Sequence, residues 1–161
     1  MNISDFKGND VVYFRFELSL TDGRSFSYQN TTGSMTQSYW NSPFRYLVII
    51  GCKVPFGATP PAGNYTLNGQ DSWGDGWNGA TVTITIDGEV AEVFGFTSGT
   101  DASTSFTLDG TQSLGLSFSG GAWDSEVTYQ LEYEDPNGNA QTALSDGTSP
   151  ADGPKDLNIC K

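Results

Sequence analysis

The chain has 161 residues and a formal net charge of −12, from 19 acidic and 7 basic side chains, with no histidine at all. That balance excludes nucleic acid, whose phosphates need Lys and Arg, and it excludes attraction to an anionic membrane surface. The missing histidine removes the usual general base, Ser-His-Asp and Cys-His catalysis, and the common zinc sites.

The length predicts one domain, 1–161, and the 36% hydrophobic and 13% aromatic content argues for a folded chain rather than a disordered acidic one. Twenty glycines and seven prolines, with many Thr, Ser, Val and Tyr, favour strands and turns. Val12, Phe14, Phe16, Leu18 and Leu20 alternate with Tyr13, Arg15, Glu17 and Ser19, the period-two pattern of a half-buried strand. Asp22-Gly23 turns it towards a partner around Ser25 to Tyr28. Residues 29–42 read as a long polar loop, and Arg45 to Ile50 as a more fully buried strand. Pro55, Pro60 and Pro61 then mark an extended connection.

From Gly63 the pattern sharpens. Tyr65 and Leu67 form a short strand leading into an Asp- and Gly-rich loop. Val82, Ile84 and Ile86 alternate with three threonines, and Asp87-Gly88 makes a hairpin into Val90 to Phe96. Phe106 and Leu108 are expected to pair with Leu114, Leu116 and Phe118 across Asp109-Gly110. Val127, Tyr129, Leu131 and Tyr133 close the block, and the tail 139–159 reads as a surface run ending near Cys160. Eight or nine short antiparallel strands without helical periodicity predict an all-β fold, a single β-sandwich of jelly-roll type. Residues 1–57 hold too few strands to stand alone and are expected to complete the same sandwich.

Chemistry concentrates in Asp71-Ser-Trp73-Gly-Asp75-Gly-Trp77-Asn78-Gly79. Two carboxylates and an amide oxygen fall within nine residues, and the glycines tolerate the positive φ angles a tight curl needs. Hard oxygen ligands suit calcium; the competing reading is an Asp-Gly turn between strands, which leaves the two tryptophans unexplained. The loop is not an EF-hand, because the third and twelfth positions counted from Asp71 are Trp73 and Val82. Asp71 and Asp75 would supply carboxylate oxygens, Asn78 an amide oxygen and Trp77 its carbonyl. Glu126 would arrive from a second segment, and Asp124 either coordinates or stays solvated. Trp73, Trp77 and Trp123 would form an aromatic floor or pack in the core, with Trp77 the structural one and Trp73 and Trp123 the contacts. Arg45 would grip an acidic ligand or make an ordinary surface ion pair, and Tyr39 and Trp40 would form a further rim. Cys52 and Cys160 favour a disulfide and an oxidising compartment, with two free thiols as the alternative. The longest apolar stretch, Tyr46 to Ile50, is too short to span a membrane, and no signal peptide is visible, which suits a module of a larger protein.

Gly63-x-Tyr65-x-Leu67, then the Asp71–Gly79 loop, then Ser125-Glu126-Val127 before a last strand, resembles a recurring extracellular domain over 63–149. Within that group the chain is most similar to the peptide-binding domains of giant calcium-dependent RTX adhesins. The resemblance implies Ca²⁺ ligands at Asp71, Asp75, Asn78 and Glu126. It also implies an extracellular, cell-surface adhesin module that binds the C-terminal ends of peptides or proteins. Two alternatives are a lectin-like module that binds glycans and a structural subunit of a secreted surface fibre. In each the chain is expected to be no enzyme, and as an adhesin or lectin module it is expected to be monomeric.

Overall fold

The computed structural model describes residues 10–31 and 44–160, so Tyr39 and Trp40 lie outside the described residues. The chain forms two compact units, Met1–Gly51 and Cys52–Lys161.

In the first unit, β1 (Val11–Arg15) pairs antiparallel with β4 (Arg45–Ile49), and β2 (Glu17–Ser19) with β3 (Ser25–Ser27). The long alternating strand expected over Val12 to Leu20 is thus split at Phe16, whose N–H donates to the Phe44 carbonyl as the chain changes partner. The Asp22-Gly23 turn forms as expected: Gly23 takes φ 87° and its N–H donates to the Leu20 carbonyl at 3.0 Å.

The second unit is the sandwich. Its strands are β5 (Lys53–Val54), β6 (Gly63–Asp71), β7 (Thr81–Ile86), β8 (Glu89–Phe94), β9 (Asp101–Leu108) and β10 (Leu114–Ser119). They are followed by β11 (Val127–Glu134), β12 (Ala140–Asp146), β13 (Gly153–Lys155) and β14 (Leu157–Asn158). One four-stranded sheet has the order β13-β10-β7-β8 and the other β12-β11-β6-β9, all antiparallel. Alternation sets the core. Tyr65 and Leu67 of β6, and Val127, Tyr129, Leu131 and Tyr133 of β11, are buried while their neighbours are at least partly exposed. They meet Val82, Ile84, Leu116 and Phe118 from the other sheet in one cluster. Phe118 stacks on Tyr129 across the interior, with ring centroids 5.7 Å apart.

Four further expectations are corrected. The strand expected to be more fully buried over Arg45 to Ile50 is exposed along the whole of β4. Fourteen strands form among the described residues, not eight or nine, because several two- and three-residue strands find partners that no periodicity announces. β9 and β10 do not pair; the Asp109-Gly110 turn carries the chain from one sheet to the other, so β9 lies on β6 and β10 on β7. The tail is not a surface run but supplies β12, β13 and β14, and Leu157 and Ile159 enter the core.

Cys52 and Cys160 form a disulfide with their Cα atoms 5.0 Å apart. The neighbouring backbone is already zipped, since Ile159 N–H donates to the Cys52 carbonyl at 2.9 Å and β14 pairs with β5. Among the described residues, no helix is long and apolar enough to cross a membrane.

Candidate metal centre

Asp71 is the last residue of β6 and belongs to the strand's inward-facing row, so strand alternation buries its carboxylate at the rim of the core. A buried carboxylate needs donors, and the loop folds over to supply them. Oδ2 accepts the N–H groups of Gly74 (2.6 Å) and Gly76 (3.0 Å), and Oδ1 makes a longer contact with the Trp73 N–H (3.4 Å). Burial alone would raise the Asp71 pKa, but the N–H groups of Gly74, Gly76, Trp73 and Asp75 outweigh it, and the carboxyl titrates below its ordinary value.

Glycine is required where the loop turns back. Gly76 has φ 91°, and a Cβ there would lie 2.5 Å from the Ser98 nitrogen and the Thr97 carbonyl carbon. The segment 96–100 holds the loop: Trp77 N–H donates to the Phe96 carbonyl, Gly99 N–H to Gly74, and Asp71 N–H to Thr100. Trp77 is fully buried between Phe94, Phe96 and Tyr129, with its indole N–H donating to the Gln70 carbonyl at 2.9 Å. Its ring fits because Gly69 opposite has no side chain; a Cβ there would come within 2.5 Å of the indole.

Register delivers the third carboxylate. Val127, the first residue of β11, pairs with Asp71, so Glu126 arrives one residue earlier beside the loop. Glu126 ends a single 3-10 turn over Asp124–Glu126, and the Ser72 N–H donates to the Glu126 carbonyl at 3.1 Å. One carboxylate oxygen from each of Asp71, Asp75 and Glu126 lies within 4.8 Å of the other two. Oxygens sharing one Ca²⁺ at 2.3–2.6 Å are at most about 5 Å apart, so this spacing is that of a group able to hold a metal ion. Burial pushes the Glu126 carboxyl up, and the nearby Asp71 and Asp75 carboxylates push it the same way.

The remaining expected ligands are placed nearby with other duties. Asn78, at φ 49°, turns its amide nitrogen to Asp75 Oδ1 (2.8 Å) and the Gly76 carbonyl (2.9 Å), which orients Asp75. The Trp77 carbonyl accepts the Ala80 N–H at 2.8 Å. Asp124 accepts the Gly121 N–H at 2.7 Å and shapes the turn before Glu126. Trp73 and Trp123 are 78% and 59% exposed and, with Asp75 and Glu126, line an open cleft of about 370 Å³. Arg45 belongs to the first unit, where its guanidinium sits 4.0 Å from the centre of the Tyr28 ring and 5.4 Å from that of Tyr13.

Sequence reading missed the loop's support from residues 96–100. Apart from the Phe96 ring, which packs on Trp77, they hold the loop through backbone groups, which no residue type marks. No family model, curated protein or solved structure matches the chain.

Proposed function

We propose that the chain is a calcium-dependent recognition module of an extracellular adhesin, binding the C-terminal ends of peptides or proteins on a partner surface. The observation that carries this reading is the placing of Asp71, Asp75 and Glu126 around one point beside an open cleft that Trp73 and Trp123 wall. Calcium takes six to eight oxygens, so three carboxylates leave coordination positions facing the cleft, and a terminal carboxylate would occupy them. Asn78 and the Trp77 carbonyl would join the shell by small rotations of the loop. The Cys52–Cys160 disulfide supports an oxidising, extracellular setting. In this reading the chain binds and does not catalyse.

One observation favours glycans as a second ligand class. Three carboxylates around a divalent ion leave the site at −1, and neutral hydroxyls meet less repulsion there than another carboxylate does. The exposed indoles also offer faces for a sugar ring.

Thermal unfolding of the wild type and of Asp75→Ala, in millimolar calcium and in excess chelator, tests the metal. At about a thousand-fold excess over Kd, calcium would add about 4 kcal/mol to the wild type and nothing to the variant. Equal melting temperatures in calcium and chelator for the wild type would refute the site. Arrays of free-carboxylate peptides, amidated peptides and glycans then separate the ligands, since only a peptide-end reader loses binding on amidation.

A further inference from the structure

The first unit has a feature that the metal centre does not use. β1 and β4 form a two-stranded ribbon whose apolar side chains are exposed on both faces. Register partners share a face, so Phe14 lies with Tyr46, and Val12 with Val48. Phe16 continues this face, meeting the Tyr46 ring edge-on at 5.7 Å. Beside it, Phe16, Glu17, Leu18, Phe44 and Tyr46 line a groove of about 490 Å³. Phe14, Phe16, Leu18, Tyr46 and Val48 are each between 43% and 53% exposed. A two-stranded ribbon is marginal in water unless something packs on it.

Charge decides what fits. Residues 1–51 carry four basic side chains (Lys7, Arg15, Arg24 and Arg45) and four acidic ones (Asp5, Asp10, Glu17 and Asp22), a net charge of 4 − 4 = 0. Residues 52–161 carry three basic and fifteen acidic side chains, 3 − 15 = −12. A basic partner would be drawn to the second unit, and two copies meeting there would repel. The first unit, with no net charge, is where two copies can meet with the least repulsion, Glu17 being the one acidic residue lining the groove.

We propose that this face, Phe14, Phe16, Leu18, Tyr46 and Val48 with the adjoining groove, is the contact surface for a second copy of the chain. It is self-complementary, since an isologous contact places the ribbon's protruding rings against the partner's groove and the reverse. Five half-exposed apolar side chains offer about 500 Å² per copy, or about 1,000 Å² per pair, the lower limit for a specific interface. The dimer is therefore weak and forms in the micromolar range. It is independent of calcium and of the ligand reading above.

Sedimentation velocity of the whole chain in excess chelator, from about 1 to 200 µM, tests it against an interface of that size. The expected result is a concentration-dependent dimer that strengthens with salt, as the repulsion between the second units is screened. The double variant Tyr46→Lys, Val48→Lys weakens it at least about 30-fold. Leu18→Lys, on the separate β2–β3 hairpin, weakens it too, so the test does not hang on one variant's folding. Ile49→Lys, whose side chain lies on the opposite ribbon face, leaves it within about threefold. A monomer across the range overturns the proposal. So does a dimer indifferent to both face variants, or one lost equally in Ile49→Lys.

Discussion

Asp71 is both a proposed calcium ligand and a structural acceptor, and the two roles separate in the absence of metal. In Asp71→Ala the N–H groups of Gly74 and Gly76 lose a charged acceptor, the Gly76 bond being buried and the Gly74 bond partly buried. A hydrogen bond to a charged group contributes about 1.5–3 kcal/mol when buried and less where water can replace it. The Gly76 bond then accounts for about 2 kcal/mol and the Gly74 bond for about 1, so the variant loses about 3 kcal/mol in excess chelator. For a unit of this size that lowers the melting temperature by roughly 10 °C. Asp75→Ala removes an exposed acceptor of the Asn78 amide and also one of the charges that disfavour ionised Glu126, two opposed effects, and is expected to stay within about 0.5 kcal/mol of wild type in chelator. Glu126→Gln should raise metal-free stability at neutral pH. Burial and the Asp71 and Asp75 charges disfavour ionised Glu126, and the amide ends that conflict. All three variants should lose the calcium-induced rise. Unfolding followed by the fluorescence of buried Trp77, with and without chelator, reads each number. If Asp71→Ala and Asp75→Ala fall equally in chelator, Asp71 does not organise the loop and the reasoning fails.

Three further outcomes are expected. The Cys52–Cys160 bridge spans 108 residues, and the chain-entropy relation gives about 4.8 kcal/mol for such a loop, so Cys160→Ser should lower urea stability by several kcal/mol; a change below about 1 kcal/mol would contradict it. Gly76→Ala places a methyl against the Ser98 and Thr97 backbone at a φ that disfavours alanine, and should cost more than about 2 kcal/mol and abolish the calcium response; calorimetry in calcium showing a wild-type rise would count against the loop geometry. The Asp135 carboxyl is held below its ordinary 3.8 by the Asn139 side chain, the Asn139 N–H and the Asn137 N–H. Its stabilisation is complete above 3.8 and disappears as pH falls through the lowered native value, so acid unfolding should be shallower in Asp135→Asn, and identical profiles would refute this.

How far the sequence was legible depends on whether a signal was local. Thr81 to Ile86 and Asp87-Gly88 form the hairpin that alternation and the dipeptide announce, with Asp87 and Gly88 at φ 55° and 83°. Asp109-Gly110 is the same dipeptide with a different result, because a turn sets the local backbone and not the sheet in which the next strand finds its partner. β6 is nine residues long and offers an open edge along which β9 lies in register from Gly63 to Gln70. The tail strands β13 and β14 were invisible for a related reason. Gly153–Lys155 and Leu157–Asn158 carry no pattern of their own and exist because β10 and β5 are there to receive them. In the site, Asp71 and Asp75 were readable as neighbours in one loop, and Glu126 through the order of motifs. Asn78 and Asp124 were readable as oxygen donors but not as residues that orient Asp75 and cap the Gly121 N–H.

The hydrogen bonds of Asp71 also determine what the ion has to do in the proposed reading. Its carboxylate is already satisfied by backbone donors, and the loop is tied to Phe96, Gly99 and Thr100, so one ligand and its frame stand ready before any metal arrives. The backbone at Glu126 is likewise fixed by the Asp71–Val127 register and by the 3-10 turn that Glu126 ends. Little chain entropy is left for binding to remove, and a preorganised site keeps more of its interaction energy as affinity. What the fold alone does not resolve is charge: two aspartates and a glutamate face one another within 4.8 Å, and among the described residues no lysine or arginine lines the cleft. In the proposed reading calcium would therefore act on the electrostatics of the cleft more than on the shape of the loop. Without an ion the gap between Trp73 and Trp123 would repel anions; with one, the same gap would carry an exposed cation between two aromatic walls. Recognition of a peptide end or a sugar would then switch with calcium while the sandwich beneath stays as it is.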